Sequence, residues 1–319
     1  MRGRIALLSV IAIALVSAIA IALLPGCKKP AAKKQLEVGL VSPALTSVFH
    51  VTLRDGALEQ AAKQNWKLID MAPEKETDFA RQVDMIENLI QLNVKAVSIC
   101  AIDDKAIVGA VKKANEAGIP IFIHNSLTPI PGGEVTAYIG YDQRDGGRKC
   151  GEKAAQLLTE KYGKPKGKVV ILEGITGFHT RERSGGFKEA LAKYPNIEIV
   201  ADQTADWDRE KAVSVTENLL QSFKDIDLFF GCSDAMAQGA SAAAKRAGRQ
   251  VFTIGLDGNP DAIADVGKGN LTATLAVYPK EMGMKVVEVM KDQLDGKKVP
   301  KFVERPTTIV DKSNWEQFK

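Results

Sequence analysis

Cysteine is scarce, with four in 319 residues. Three of them, Cys100, Cys150 and Cys232, fall in the body of the chain. That is an odd number without CxxC spacing, which argues against both a disulfide framework and a zinc site. They read as small buried hydrophobes. Neither sign of charge dominates: 43 basic residues face 39 acidic ones, for a formal net charge of +4. Arg2, Arg4 and several lysines near residue 30 supply much of that excess, so the body is close to balanced and nucleic acid is not the implied partner. The chain also lacks a GxxxxGK[ST] phosphate loop, a GxSxG elbow and an HExxH pair. Gly174 and Gly177 are too few for a GxGxxG fingerprint, so no enzyme signature and no cofactor is indicated.

What is present is a folded composition, 45% hydrophobic and 26% charged, on a chain longer than one ordinary domain. A single long apolar run, Ile5 to Leu24, follows the basic start Met1-Arg2-Gly3-Arg4 and leads into Leu24-Pro25-Gly26-Cys27. This is the layout of an export signal over residues 1–26. The run is also long enough to remain as a membrane-spanning anchor; on either reading the body is exported. The Leu-x-Gly-Cys ending resembles a bacterial lipobox, which implies Cys27 as the lipidation site, a membrane anchor through it, and a place in the periplasm or on the outer cell surface. Residues 27–35, with their KKPAAKK stretch, read as a flexible tether, and the fold is expected to begin at Leu36.

From there short β-branched runs alternate with helical patterns. LEVGLV precedes Val48 to Gln64, KLIDM precedes Phe79 to Leu92, AVSI precedes Lys105 to Ala117, and IPIFI follows. The order then returns: KVVIL and Phe187 to Lys193, IEIV and Glu210 to Phe223, DLFF and Ala235 to Ala247, then VFTIGL. Repeated strand–helix units predict parallel sheets. The halves also match residue by residue at an offset of about 130. Phe49-His50 pairs with Phe178-His179, Arg54 with Arg183, Gly56 with Gly185, Ala61 with Ala190, Glu87-Asn88-Leu89 with Glu217-Asn218-Leu219, and Asp103-Asp104 with Ser233-Asp234. Two similar Rossmann-like α/β lobes follow, and two such sheet edges can face each other across a ligand cleft.

The segments LVSPALTSVFHVTLRDGA, HTRERSGGF, DWDREKA, CSDAMAQGA, IGLDGNPDAI and TATLAVYP, in this order, resemble the ribose-type periplasmic binding proteins of sugar ABC transporters. The resemblance covers nearly all of the chain after the tether. It implies a type 1 periplasmic-binding-protein fold whose chain crosses between lobes three times, with residues 36–141 plus 278–306 in one lobe and 142–277 plus 307–319 in the other. It further implies hinge closure around a small polar ligand, a sugar or polyol, docking on an ABC transporter permease, and no catalysis.

A sugar needs aromatic plates and a rim of hydrogen-bonding groups. The resemblance implies Trp207 as a stacking aromatic, Phe49 as its counterpart, Arg181 as a donor and Asp257 as an acceptor. The bland alternatives are surface packing for Trp207, a hydrophobic staple for Phe49, an ion pair for Arg181 and a helix cap for Asp257. Ser42, His50, His124, Asn125 and Ser233 complete the candidate ligand set. His124-Asn125 stand where the ribose pattern has Asp-Arg, Ser233 where it has asparagine and Val277 where it has glutamine, which points away from ribose itself. Arg183, matched with Arg54, reads as scaffold. Three histidines on cleft loops invite a metal reading, but their spacing does not support one. A LacI-type repressor core shares the fold, yet would begin with a helix-turn-helix. The same fold could hold a nucleoside or signal molecule, or present its ligand to a chemoreceptor or sensor kinase.

Overall fold

The computed structural model describes residues 35–319; the export signal and Cys27 lie outside the described residues. Within them the chain alternates as expected. The first half runs β1 (Leu36–Val41), α1 (Val48–Lys63), β2 (Trp66–Met71), α2 (Phe79–Gln91), β3 (Val97–Ile99), α3 (Val108–Glu116), β4 (Ile121–His124) and β5 (Ala137–Gly140). The second runs α4 (Gln143–Tyr162), β6 (Gly167–Glu173), α5 (Phe178–Leu191), β7 (Ile197–Thr204), α6 (Arg209–Ser222), β8 (Leu228–Gly231), α7 (Asp234–Arg246), β9 (Phe252–Asp257), α8 (Pro260–Lys268) and β10 (Ala273–Ala276). Helix α9 (Pro279–Leu294), strands β11 (Phe302–Glu304) and β12 (Thr308–Asp311), and a 3₁₀ turn (Trp315–Phe318) close the chain.

Two six-stranded sheets result, ordered β11-β5-β4-β3-β1-β2 and β12-β10-β9-β8-β6-β7. Every pairing is parallel except that of β10 with β12. The central strands β3, β4, β8 and β10 are buried throughout, which is why they read as continuous apolar runs rather than alternating ones: helices cover both faces. The chain passes from one sheet to the other after β5, after β10 and after β11. The protein is therefore a two-lobed α/β fold.

Helix starts follow from sequence. Asp78, Asp142 and Asp208 accept backbone N–H bonds from Arg81, from Arg144 and Asp145, and from Lys211, which satisfies donors that the first helical turn leaves unpaired. The helix α5 departs from expectation, beginning at Phe178 rather than Phe187. Gly185-Gly186 looks like an interruption in sequence, but here it lies inside a helix that packs closely on α4. A Cβ on Gly186 would lie 2.0 Å from the Arg144 carbonyl oxygen, and one on Gly147 2.0 Å from that of Arg183. The same crossing recurs between α9 and α1, where a Cβ on Gly283 would lie 1.9 Å from the Leu53 carbonyl oxygen. These matching contacts set Leu53, not Arg54, opposite Arg183. Leu53 is fully buried, whereas Arg54 is part-exposed and paired with Asp55.

Candidate functional site

All parallel strands end at one edge of each sheet, and the loops leaving those ends line one cleft of about 660 Å³, part of it open to solvent. The first lobe contributes Phe49 and His50 after β1, Glu76 after β2, Ala101 and Ile102 after β3, and Asn125 after β4. The second contributes residues 175–180 after β6, Arg183 from α5, Trp207 after β7, Ser233 after β8 and Asp257 at the end of β9.

Trp207 is held by its turn. Asp206 and Trp207 both have positive φ, 53° and 63°, a conformation that non-glycine residues sustain only when their surroundings impose it. The indole lies so close over Gly174 that a Cβ there would sit 2.0 Å from its Cε2. The Arg183 guanidinium stands over the ring, 5.5 Å from its centroid.

Arg183 is the electrostatic centre of the second lobe. Its side chain is 5% exposed; Nη1 donates to the Cys232 carbonyl at 2.7 Å and to Asp257 Oδ1 at 3.2 Å, and Nε donates to Gln143 Oε1 at 2.8 Å. Nη2 has no bond to a described residue, so its two protons are available to a ligand. Gln143 in turn donates to the Asn125 carbonyl at 2.8 Å, so a hydrogen-bonded chain runs from the first lobe's β4 loop to the cleft arginine. Burial raises the Asp257 carboxyl above its usual range, while Arg183 opposes the shift. The fully buried Asp234 beside it, raised still further by burial, accepts from the Asn259 N–H. Burial also keeps the histidines neutral: His124 and His179 are each pulled down to about 3, and His50 is lowered well below its ordinary value; desolvation leads in each, with neighbouring histidines adding at His50 and His124 and Arg183 adding at His50 and His179.

Of the sequence candidates, Phe49, His50, Asn125, Trp207, Ser233 and Asp257 all line the cleft. Three do not. Arg181 points to solvent, 64% exposed and bonded to Glu182 at 3.1 Å. Residues two apart on a helix diverge by about 200°, so Arg181 and Arg183 cannot both face the cleft, and the buried one is Arg183. Ser42 is fully buried at the end of β1 with its hydroxyl unpartnered, outside the cleft. His124, also fully buried, bonds Ser98 Oγ through Nδ1 at 2.9 Å, and it lines a second, smaller cavity shared with Phe178 and His179. Ser233 lines the cleft while its hydroxyl also caps α7.

Sequence reasoning missed Arg183, His179 and Glu76. The repeat offers a signal for Glu76, since an offset of 130 sets Glu76-Thr77-Asp78 against Asp206-Trp207-Asp208, and Asp78 and Asp208 cap equivalent helices. The three cysteines of the body are buried and unbridged. Among the described residues no group of His, Cys, Asp or Glu is placed to hold a metal ion, and no helix is long and apolar enough to cross a membrane.

A two-lobed fold with a polar-rimmed cleft between the strand ends of its two sheets defines a small-molecule binding protein. Residues 38–298 match the periplasmic binding protein domain family, and the chain belongs to it. It is 37% identical over 279 residues to the ribose import binding protein of Bacillus subtilis, covering 87% of this chain and 88% of that one. The crystal structure of an ABC transporter solute-binding protein from Actinobacillus succinogenes with bound D-allose superposes with a TM-score of 0.83 at 32% identity, covering 89% of this chain and all of that one. A solute-binding protein from Bacillus halodurans with bound myo-inositol gives a TM-score of 0.80 at 26% identity, covering 90% and 99%. As these relatives are, the chain is a substrate-binding protein and not an enzyme.

Proposed function

We propose that this protein is the extracytoplasmic solute-binding component of an ABC transporter, that it closes its two lobes around a monosaccharide or related polyol, and that it is tethered to the membrane by a lipid on Cys27. The observation that carries the ligand class is the second lobe's constellation: the Trp207 face, the free Nη2 donors of Arg183 and the Asp257 carboxylate, 3.2 Å from Arg183, converge on one cleft. An aromatic plate beside a paired donor and acceptor matches the apolar face and hydroxyl rim of a sugar. The relatives named above, whose ligands are ribose, D-allose and myo-inositol, support the reading.

In this proposal the lobes comprise residues 36–141 with 278–306, and 142–277 with 307–319, and the three crossings form the hinge. Ligand touching both lobes favours the closed form by its differential affinity, and that form docks on the permease. A thermal-shift screen of the body from Leu36 against pentoses, hexoses, polyols, nucleosides and amino acids tests it, because a ligand of the folded state raises the melting temperature. Stabilisation by a sugar or polyol is the expected outcome; stabilisation by a nucleoside or amino acid alone overturns the ligand class.

A further inference from the structure

One carboxylate of the cleft has no counter-charge. Asp257 is neutralised by Arg183, and the three histidines are uncharged, but Glu76, with a side chain only 16% exposed, makes no hydrogen bond to any described residue. Its one near neighbour is His50, Nε2 to Oε1 3.8 Å, too far for a good hydrogen bond. The loop that carries it is the first lobe's equivalent of the loop that carries Trp207. At the offset of 130 Glu76 matches Asp206, the residue before the one from which the opposite lobe presents its aromatic plate, and its carboxylate lines the cleft.

We propose that Glu76 is a specificity-determining ligand contact: its carboxylate takes a hydrogen-bond donor of the bound sugar, a hydroxyl or an ammonium, and shuts acidic sugars out of the cleft. The proposal rests on the sugar reading above and names what that reading leaves open. A buried acid without a partner is costly to ionise, and burial pushes the Glu76 carboxyl up to about 7, with Arg183 lowering it and Asp257 raising it from across the cleft. The groups facing it are His50 from α1, the Cys100 thiol after β3, which burial holds up at about 12, and the Arg183–Asp257 pair from the second lobe. Its own loop adds Glu74, Lys75 and Asp78. A ligand donor favours the ionised carboxylate, so the bound state holds the proton less tightly than the free state. Affinity consequently rises with pH up to about 7 and levels off above it. Above pH 7 an anionic sugar meets an uncompensated negative charge at one end of the cleft and, at the other, an arginine whose charge is already balanced by Asp257.

The test measures melting temperatures of the full chain at pH 8 with D-ribose, D-allose, D-arabinose and myo-inositol, with D-glucosamine and D-galactosamine, and with D-glucuronate, D-galacturonate and D-gluconate. Calorimetry of the best binder at pH 5.5 and 8 then follows, for the wild type and for Glu76→Gln. Stabilisation by neutral or cationic members only is expected. The best binder should bind at least about tenfold tighter at pH 8 than at pH 5.5, and Glu76→Gln should weaken it at least about tenfold at pH 8 and abolish the rise near pH 7. Glu76→Gln should melt no lower than the wild type without ligand, since it removes an unpaired buried acid. Stabilisation by any of the three acids, or unchanged affinity and pH profile in Glu76→Gln, overturns the proposal while leaving the sugar reading intact. Silence from the whole panel overturns both.

Discussion

At the scale of single residues, the pair Arg181 and Arg183 shows how far residue type carries an inference. Both are arginines in one motif, HTRERSGGF, and nothing in their chemistry distinguishes them; the helical period does, once the helix is known to start at Phe178. Trp207 and Asp257 were legible through the family resemblance of the motifs that carry them near strand ends, whereas Glu76 sits in a charged loop beside Glu74 and Lys75, where type alone separates nothing. Arg183→Ala leaves Asp257 buried without its partner, so it should cost about 3–5 kcal/mol of stability and abolish ligand binding. Arg181→Ala, on the exposed face, should stay within about 0.5 kcal/mol and bind as the wild type does. Urea unfolding and calorimetry of the two variants check this; the reverse ranking would return Arg181 to the site.

At the scale of elements, the alternation of β-branched runs and helical patterns specified the central strands to within a few residues. The duplicated order fixed the sheet class. What it did not reveal were the elements whose sequences are set by close packing rather than by periodicity. Helix α4 carries three glycines, Gly146, Gly147 and Gly151, and reads as a poor helix. It forms because Gly147 and Gly151 let α5 approach backbone to backbone, while Gly146 makes room for Tyr141, Leu256 and Leu275. The same reason hid the first nine residues of α5. Opposite effects of one substitution follow. Gly109→Ala, in α3 with open space around it, should stabilise by roughly 0.5–1 kcal/mol through backbone entropy. Gly283→Ala drives a methyl into the Leu53 carbonyl and should destabilise despite the same entropic gain. Melting temperatures of the two variants decide the matter, and a gain for both would mean that α1 and α9 are not locked together.

At the scale of the whole molecule, two copies of one strand–helix plan place their strand ends on a common cleft, and the chain's three passages between sheets are short segments that a hinge can use. The duplication was visible in sequence, although one residue out of register in α1 and α5. That single-residue slip gave Arg183 the scaffold role read for Arg54 instead of the inward position of Leu53. Six of the nine candidates accordingly line the cleft, whereas Arg183, one turn further into its helix than Phe178 and His179, was not among the candidates. Binding in this cleft, against the Trp207 face, is the central claim. Its direct test is tryptophan fluorescence of the wild type and of Trp207→Phe, titrated with the sugar or polyol that gives the largest melting shift. The other two tryptophans, Trp66 and Trp315, lie outside the cleft lining, so a saturable change in the wild type that disappears in Trp207→Phe is the predicted result. A change of equal size in both proteins would place the binding event elsewhere and contradict the account.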